Sequence, residues 1–194
     1  MSYMRIFEKN EIRDIIIAVI ALTIILSFPR GFLKINVFLI YLLAVIIGFV
    51  FHELAHKFTA KKFGCYAEFK IWPLGLVLGF LITLVSYGHL KFAAPGAVVI
   101  SAFRFGRWKY RLARLTLKET GIIAAAGPAT NLLFAIIFIP FEPLKFLTFI
   151  NSWLAFFNLL PIPPLDGSKV MAWKPWLWFL MISLSFLLIL PNLI

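Results

Sequence analysis

A chain of 194 residues suits one domain, and its 62 % hydrophobic against 14 % charged residues excludes an ordinary soluble globule, where the balance is about half to a quarter. Twenty-two Phe and six Trp point the same way, because aromatic rings serve lipid-facing surfaces and interfacial belts. The net charge of +11 reads as membrane topology rather than nucleic-acid binding, and the single Cys65 excludes both an intramolecular disulfide and a cysteine-based zinc cluster.

The first 14 residues mix Arg5, Lys9 and Arg13 with Glu8, Glu11 and Asp14, and no small-x-small cleavage site follows the apolar run Ile15–Phe28. That run reads as a retained first helix, and it needs Ile12, or Phe32 and Leu33, to approach the ~20 residues that span a bilayer. The next helix is expected over 35–58. It is apolar from Ile35 to Phe51 apart from Asn36, Tyr41 and Gly48, and it then carries the pentapeptide HELAH, His52 to His56. "AEFKIW" at 67–72 alternates apolar with polar residues, the period of a strand. The apolar stretch 71–87 contains Pro73, Gly75 and Gly79. It is either a spanning helix with a Gly75-x-x-x-Gly79 packing face or a re-entrant hairpin that enters and leaves on one side. The basic segment 103–118 reads as a cytosolic or interfacial stretch whose Arg and Lys meet anionic lipid, with no base-reading motif and hence no nucleic-acid partner. Further helices are expected at 121–139, 144–161 and 172–190.

Charge favours the re-entrant alternative. If 71–87 does not cross, sixteen of the nineteen Lys and Arg residues share one side, leaving Arg30, Lys34 and Lys145 opposite; if it crosses, the bias largely vanishes. The expected fold is therefore an all-α polytopic membrane protein of about five to six transmembrane helices, with a membrane-dipping β-hairpin between the second and third crossing helices. Residues 1–194 form a single transmembrane domain in this reading, with core helices at about 35–58, 121–139 and 144–170. Its place is a prokaryotic cell membrane, with the candidate site toward the cytoplasmic side.

His52 and His56 are four residues apart, so on a helix both rings face one ion, and Glu53 projects beside them. Zinc suits two neutral imidazoles and an oxygen ligand, with a water in the fourth position for a glutamate to deprotonate. Isolated charges at that depth would cost ~2.5–3.5 kcal/mol each, so a metal site is the economical explanation of the pentapeptide. Candidates for the third ligand are few: His89, Glu68, Glu119, Glu142 and Asp166. "PPLDG" around Asp166 is also a common turn signature, but Asp166 follows a helix that returns to the side where His52 and His56 end. By helical rise His52 lies roughly 9–14 Å below that surface, and Gly127–Asn131 of "GPATN" roughly 10–16 Å.

HELAH at the end of a hydrophobic helix, GPATN in the next crossing helix and "NLLPIPPLDG" after the one following resemble the three signatures of the site-2 protease family of intramembrane zinc metalloproteases, peptidase family M50. The resemblance spans residues from about 36 to 170. It implies one Zn2+ held by His52, His56 and Asp166, Glu53 as catalytic base, and Asn131 and Asn158 as groups that orient substrate or stabilise its oxyanion. It implies hydrolysis of peptide bonds within or near transmembrane segments of membrane-protein substrates, in a minimal form without a PDZ or CBS domain. A membrane metal-ion transporter and a non-catalytic membrane scaffold are the alternatives. The outer halves of the helices offer a transporter almost no polar path, and a scaffold has no use for Glu53.

Overall fold

The structure is a computed structural model that describes residues 7–90, 95–101, 103–105, 110–112 and 114–192, and it forms two compact units. One comprises the chain up to Ile46 with Glu68–Val99; the other comprises Ile47–Ala67 with the chain from Ile100 onward. Arg5, Lys91, Arg107 and Lys109, counted above in the charge bias, lie outside the described residues.

In the first unit, helix α1 (Lys9–Ser27) starts inside the charged leader rather than at the apolar run, because the carboxylate of Glu11 accepts the Glu8 N–H at 3.3 Å and caps the first turn. The extension therefore comes from the amino-terminal side. Glu11 and Asp14 are buried within it, which a bare carboxylate resists. Each takes a backbone donor from strand β1 (Tyr66–Ile71): Phe69 N–H at 3.0 Å for Glu11 and Ile71 N–H at 3.4 Å for Asp14, which also pairs with Arg13 at 2.9 Å. Helices α2 (Arg30–Leu33) and α3 (Ile35–Val45) pack beside α1.

The expected β-hairpin is corrected here. Strand β1 pairs with β2 (Gly96–Ser101), but the chain between them is helix α5 (Pro73–Val85), which also packs on α1. Pro73 stands in the first turn, where a missing N–H removes no helical bond, and the apolar run favours a ladder that satisfies its own backbone. Thirteen residues rise only about 20 Å against the roughly 30 Å of a bilayer core, so the segment is too short to cross upright. The strand period of AEFKIW is present in β1.

The second unit holds the candidate site. The helical run continues unbroken from Ile35 to Lys62, through a π turn at Ile46–Val50 into α4 (Phe51–Lys62). Part of the basic segment forms an antiparallel pair, β3 (Phe103–Phe105) with β4 (Tyr110–Leu112), Phe103 opposite Leu112 and Phe105 opposite Tyr110; residues 106–109 of that segment lie outside the described residues. Helix α6 (Leu117–Phe138) begins four residues before the expected 121, because Thr116 and Glu119 form a capping box, with Glu119 N–H donating to Thr116 Oγ1 at 3.2 Å and Thr116 N–H to Glu119 Oε2 at 2.9 Å. Helices α7 (Lys145–Asn158), α8 (Asp166–Trp173) and α9 (Pro175–Ile189) follow, so the stretch expected as one element over 144–170 is two, broken at Leu159–Leu165.

Helix α6 is the hub: α4, α7, α8 and α9 all pack on it. Leu132, Ala155, Leu159 and Met181 form a buried cluster that ties α6, α7 and α9, and Trp178 of α9 donates its indole N–H to the Leu159 carbonyl at 2.7 Å. Among the described residues, the helices Ile35–Lys62 and Leu117–Phe138 are long and apolar enough to cross a membrane, and α5 and α9 are shorter apolar helices. Leu39, Leu43, Leu133, Ile137, Phe179 and Leu187 stand exposed on α3, α6 and α9.

Candidate metal centre

The four-residue spacing of His52 and His56 places both on the face of α4 that meets α6, and both are buried, as is Glu53 between them in sequence. Their Nε2 atoms lie 3.0 Å apart. Asp166, the first residue of α8, brings Oδ2 to 3.4 Å from His52 Nε2 and 3.0 Å from His56 Nε2. Residues 114 positions apart thus meet at one point, where a fourth element leaves room: a Cβ built on Gly127 of α6 would collide with both Nε2 atoms.

Each imidazole is oriented by its other nitrogen. His56 Nδ1 lies 2.7 Å from the Ile123 carbonyl, which can only accept, so Nδ1 carries the proton and Nε2 keeps its lone pair. His52 Nδ1 lies 2.5 Å from Asn131 Oδ1. Asn131 Nδ2 donates to the Gly48 carbonyl at 2.7 Å, which fixes the oxygen end of the amide toward His52 and again places the proton on Nδ1. Two lone pairs and a carboxylate oxygen therefore converge with no donor of their own. Asp166 supplies that carboxylate oxygen, Oδ2, from the first turn of α8. Its other oxygen faces Lys169 at 3.4 Å.

Three converging acceptors call for a cation, and the set fits zinc. Tetrahedral zinc with bonds of about 2.0–2.2 Å separates its ligand atoms by about 3.3 Å, close to the three edges seen here, and two imidazoles with one carboxylate leave a fourth position open. The structure groups His52, His56 and Asp166, with Glu53 adjacent to His52 on α4.

The two asparagines stand differently. Asn131 is fully buried, and both its amide hydrogens are engaged, one with Gly48 and one with Asn151 Oδ1 at 3.0 Å, so its contact is with His52 itself. Asn158 ends α7 with its amide donating back to the Leu154 carbonyl at 3.0 Å. Asn151 escaped the sequence reading, although an amide inside the apolar run of α7 is the kind of residue that lipid-facing cost should flag. The π turn has no sequence signal beyond Gly48, whose missing Cβ admits Leu154 of α7.

A family model described as peptidase family M50 matches residues 139–174, the stretch that contains α7 and α8. MJ0611 of Methanocaldococcus jannaschii is 44 % identical over 189 residues, covering 92 % of this chain and 91 % of that protein. Rip2 of Mycolicibacterium smegmatis is 28 % identical over 69 % of this chain and 56 % of its own length; YwhC of Bacillus subtilis is 30 % identical over 66 % and 65 %. All three carry the name putative zinc metalloprotease. No solved structure matches.

Proposed function

The chain belongs to peptidase family M50, the site-2 protease family, and we propose that it is an intramembrane zinc metalloprotease cleaving peptide bonds within or near transmembrane segments of membrane-protein substrates. The observation that carries this reading is the convergence of His52 Nε2, His56 Nε2 and Asp166 Oδ2 beside Gly127, with Glu53 on the same helix. Apolar helices over Ile35–Lys62 and Leu117–Phe138 and the apolar faces of α3, α6 and α9 support residence in the lipid bilayer, in this reading a prokaryotic cell membrane with the site toward the cytoplasm.

A zinc ion held by the three ligands supplies a Lewis acid that polarises the scissile carbonyl and acidifies a water. Glu53 takes the proton of the attacking water and delivers it to the leaving nitrogen, the ordinary double duty of a general base. With their Nδ1 protons committed to Asn131 and Ile123, His52 and His56 are left to offer Nε2 to the metal. Asp166 offsets one of the two metal charges, which a low-dielectric surrounding favours. Asn158, at the end of α7, is the remaining candidate to touch the substrate backbone once its bond to Leu154 is released. A helical substrate hides its carbonyls in its own ladder, so the scissile segment must unwind before Glu53 and the ligands can act on it.

The test is the purified full chain in detergent, assayed for bound zinc and for cleavage of a model transmembrane peptide. Glu53→Gln is expected to retain zinc and lose cleavage by at least 100-fold, as removal of a general base does; Asp166→Ala is expected to lose both. Cleavage by Glu53→Gln at the wild-type rate overturns the assignment. A transporter or scaffold needs no such loss.

A further inference from the structure

Behind His52 the second unit contains a buried chain of amides. His52 Nδ1 meets Asn131 Oδ1 at 2.5 Å; Asn131 Nδ2 donates to the Gly48 carbonyl at 2.7 Å and to Asn151 Oδ1 at 3.0 Å; Asn151 Nδ2 donates to the Leu147 carbonyl at 2.9 Å. Both asparagines are 0 % exposed. The orientation of a side-chain amide is a choice between two flips, and here backbone carbonyls make it. The Leu147 carbonyl can only accept, so the nitrogen of Asn151 faces it and the oxygen faces Asn131. That oxygen and the Gly48 carbonyl are two acceptors on the nitrogen side of Asn131. A flipped Asn131 would set its oxygen against both and would point an N–H at His52 Nδ1. His52 would then carry its proton on Nε2, the atom that must face the metal.

We infer that Asn151 is a positioning residue for the metal centre: through Asn131 it locks the tautomer and ring orientation of His52, so that a buried amide on α7 sets the affinity of a site whose ligands lie on α4 and α8. The π turn takes part, because it holds the Gly48 carbonyl at Asn131, and Gly48 lets α7 approach at Leu154. Asn151 touches none of the ligands. Outer partners of metal-bound histidines commonly account for 10–100-fold in metal affinity, and Asn151 acts one bond further out.

This rests on the zinc reading above, and the two are separable. Zinc binding by the wild-type chain tests the site; a comparison of variants tests the relay. In detergent, zinc affinity is measured by chelator competition and Co2+ absorption for wild type, Asn151→Leu, Asn131→Leu and the double variant, each with a thermal melt. Asn151→Leu is expected to bind zinc about tenfold more weakly with a changed Co2+ spectrum. Asn151→Gln, which keeps an acceptor for Asn131 and a donor for the Leu147 carbonyl, is expected to recover most of the affinity. The double variant is expected to bind no more weakly than Asn131→Leu, because Asn151 acts only through Asn131. Unchanged affinity and spectrum in Asn151→Leu overturn the inference, as does an equal further loss when Asn151→Leu is added to Asn131→Leu. Where Asn151→Leu does not fold, 15N-histidine NMR of the zinc-loaded wild-type chain decides. His52 is expected to show metal at Nε2 and a slowly exchanging Nδ1 proton, and ligation through Nδ1, or a rapidly exchanging proton, overturns the lock.

Discussion

At Gly127 the side chain is a hydrogen atom, and the space it leaves borders the Nε2 atoms of His52 and His56. A methyl group there would be carried by the backbone of a packed helix that cannot easily retreat, since α6 is held by α4, α7 and α8. Gly127→Ala is therefore expected to displace the histidines rather than the helix. Zinc content of the purified chain should fall below about a tenth of wild type, while overpacking costs about 1–3 kcal/mol of stability. Metal analysis beside a thermal melt checks this, and a variant that keeps full zinc content refutes the role given to Gly127. The meeting of His52, His56 and Asp166 was legible in sequence, because HELAH sets its own spacing and few other carboxylates were available. The supporting atoms were not: the Ile123 and Gly48 carbonyls belong to residues with no polar side chain, and no residue pattern announces a backbone group.

Elements were legible where a pattern spoke for the backbone and not where caps or breaks did. The long apolar runs gave α3 with α4, α6, α7 and α9, and alternation gave β1. The stretch 71–87 became a helix because its glycines and proline sit in a run otherwise rich in Leu, Ile and Val, whose backbone bonds a hairpin in apolar surroundings would leave open. The start of α6 was missed because Thr116 and Glu119 read as part of a basic loop until their side chains are seen exchanging bonds with the backbone. That exchange is testable on its own. Thr116→Ala is expected to lower stability by about 1 kcal/mol, typical of a lost amino-terminal cap, and to leave zinc affinity unchanged, because Ile123 lies nearly two turns further along. Denaturation followed by circular dichroism, with a parallel zinc titration, measures both.

For the molecule as a whole, the proposed metal centre joins distant parts of the chain. His52 and Asp166 are 114 residues apart, so an ion that binds both stabilises the folded chain and has no comparable site in the unfolded one. At zinc a hundredfold above its dissociation constant the gain is about 2.7 kcal/mol. Chelation is accordingly expected to lower the melting temperature of the wild-type chain by several degrees and to leave that of Asp166→Ala unchanged. Equal melting curves for the wild type with and without chelator would refute that stabilisation.

The carboxylates of Glu11 and Asp14 at the Phe69 and Ile71 amides have a consequence beyond their burial. Unoccupied donors along a strand margin invite a neighbouring chain to dock and propagate pairing, the usual beginning of a fibre. Side chains that mimic the carbonyls of an absent neighbour discourage such growth, since a newcomer must first dislodge two anions from a folded helix.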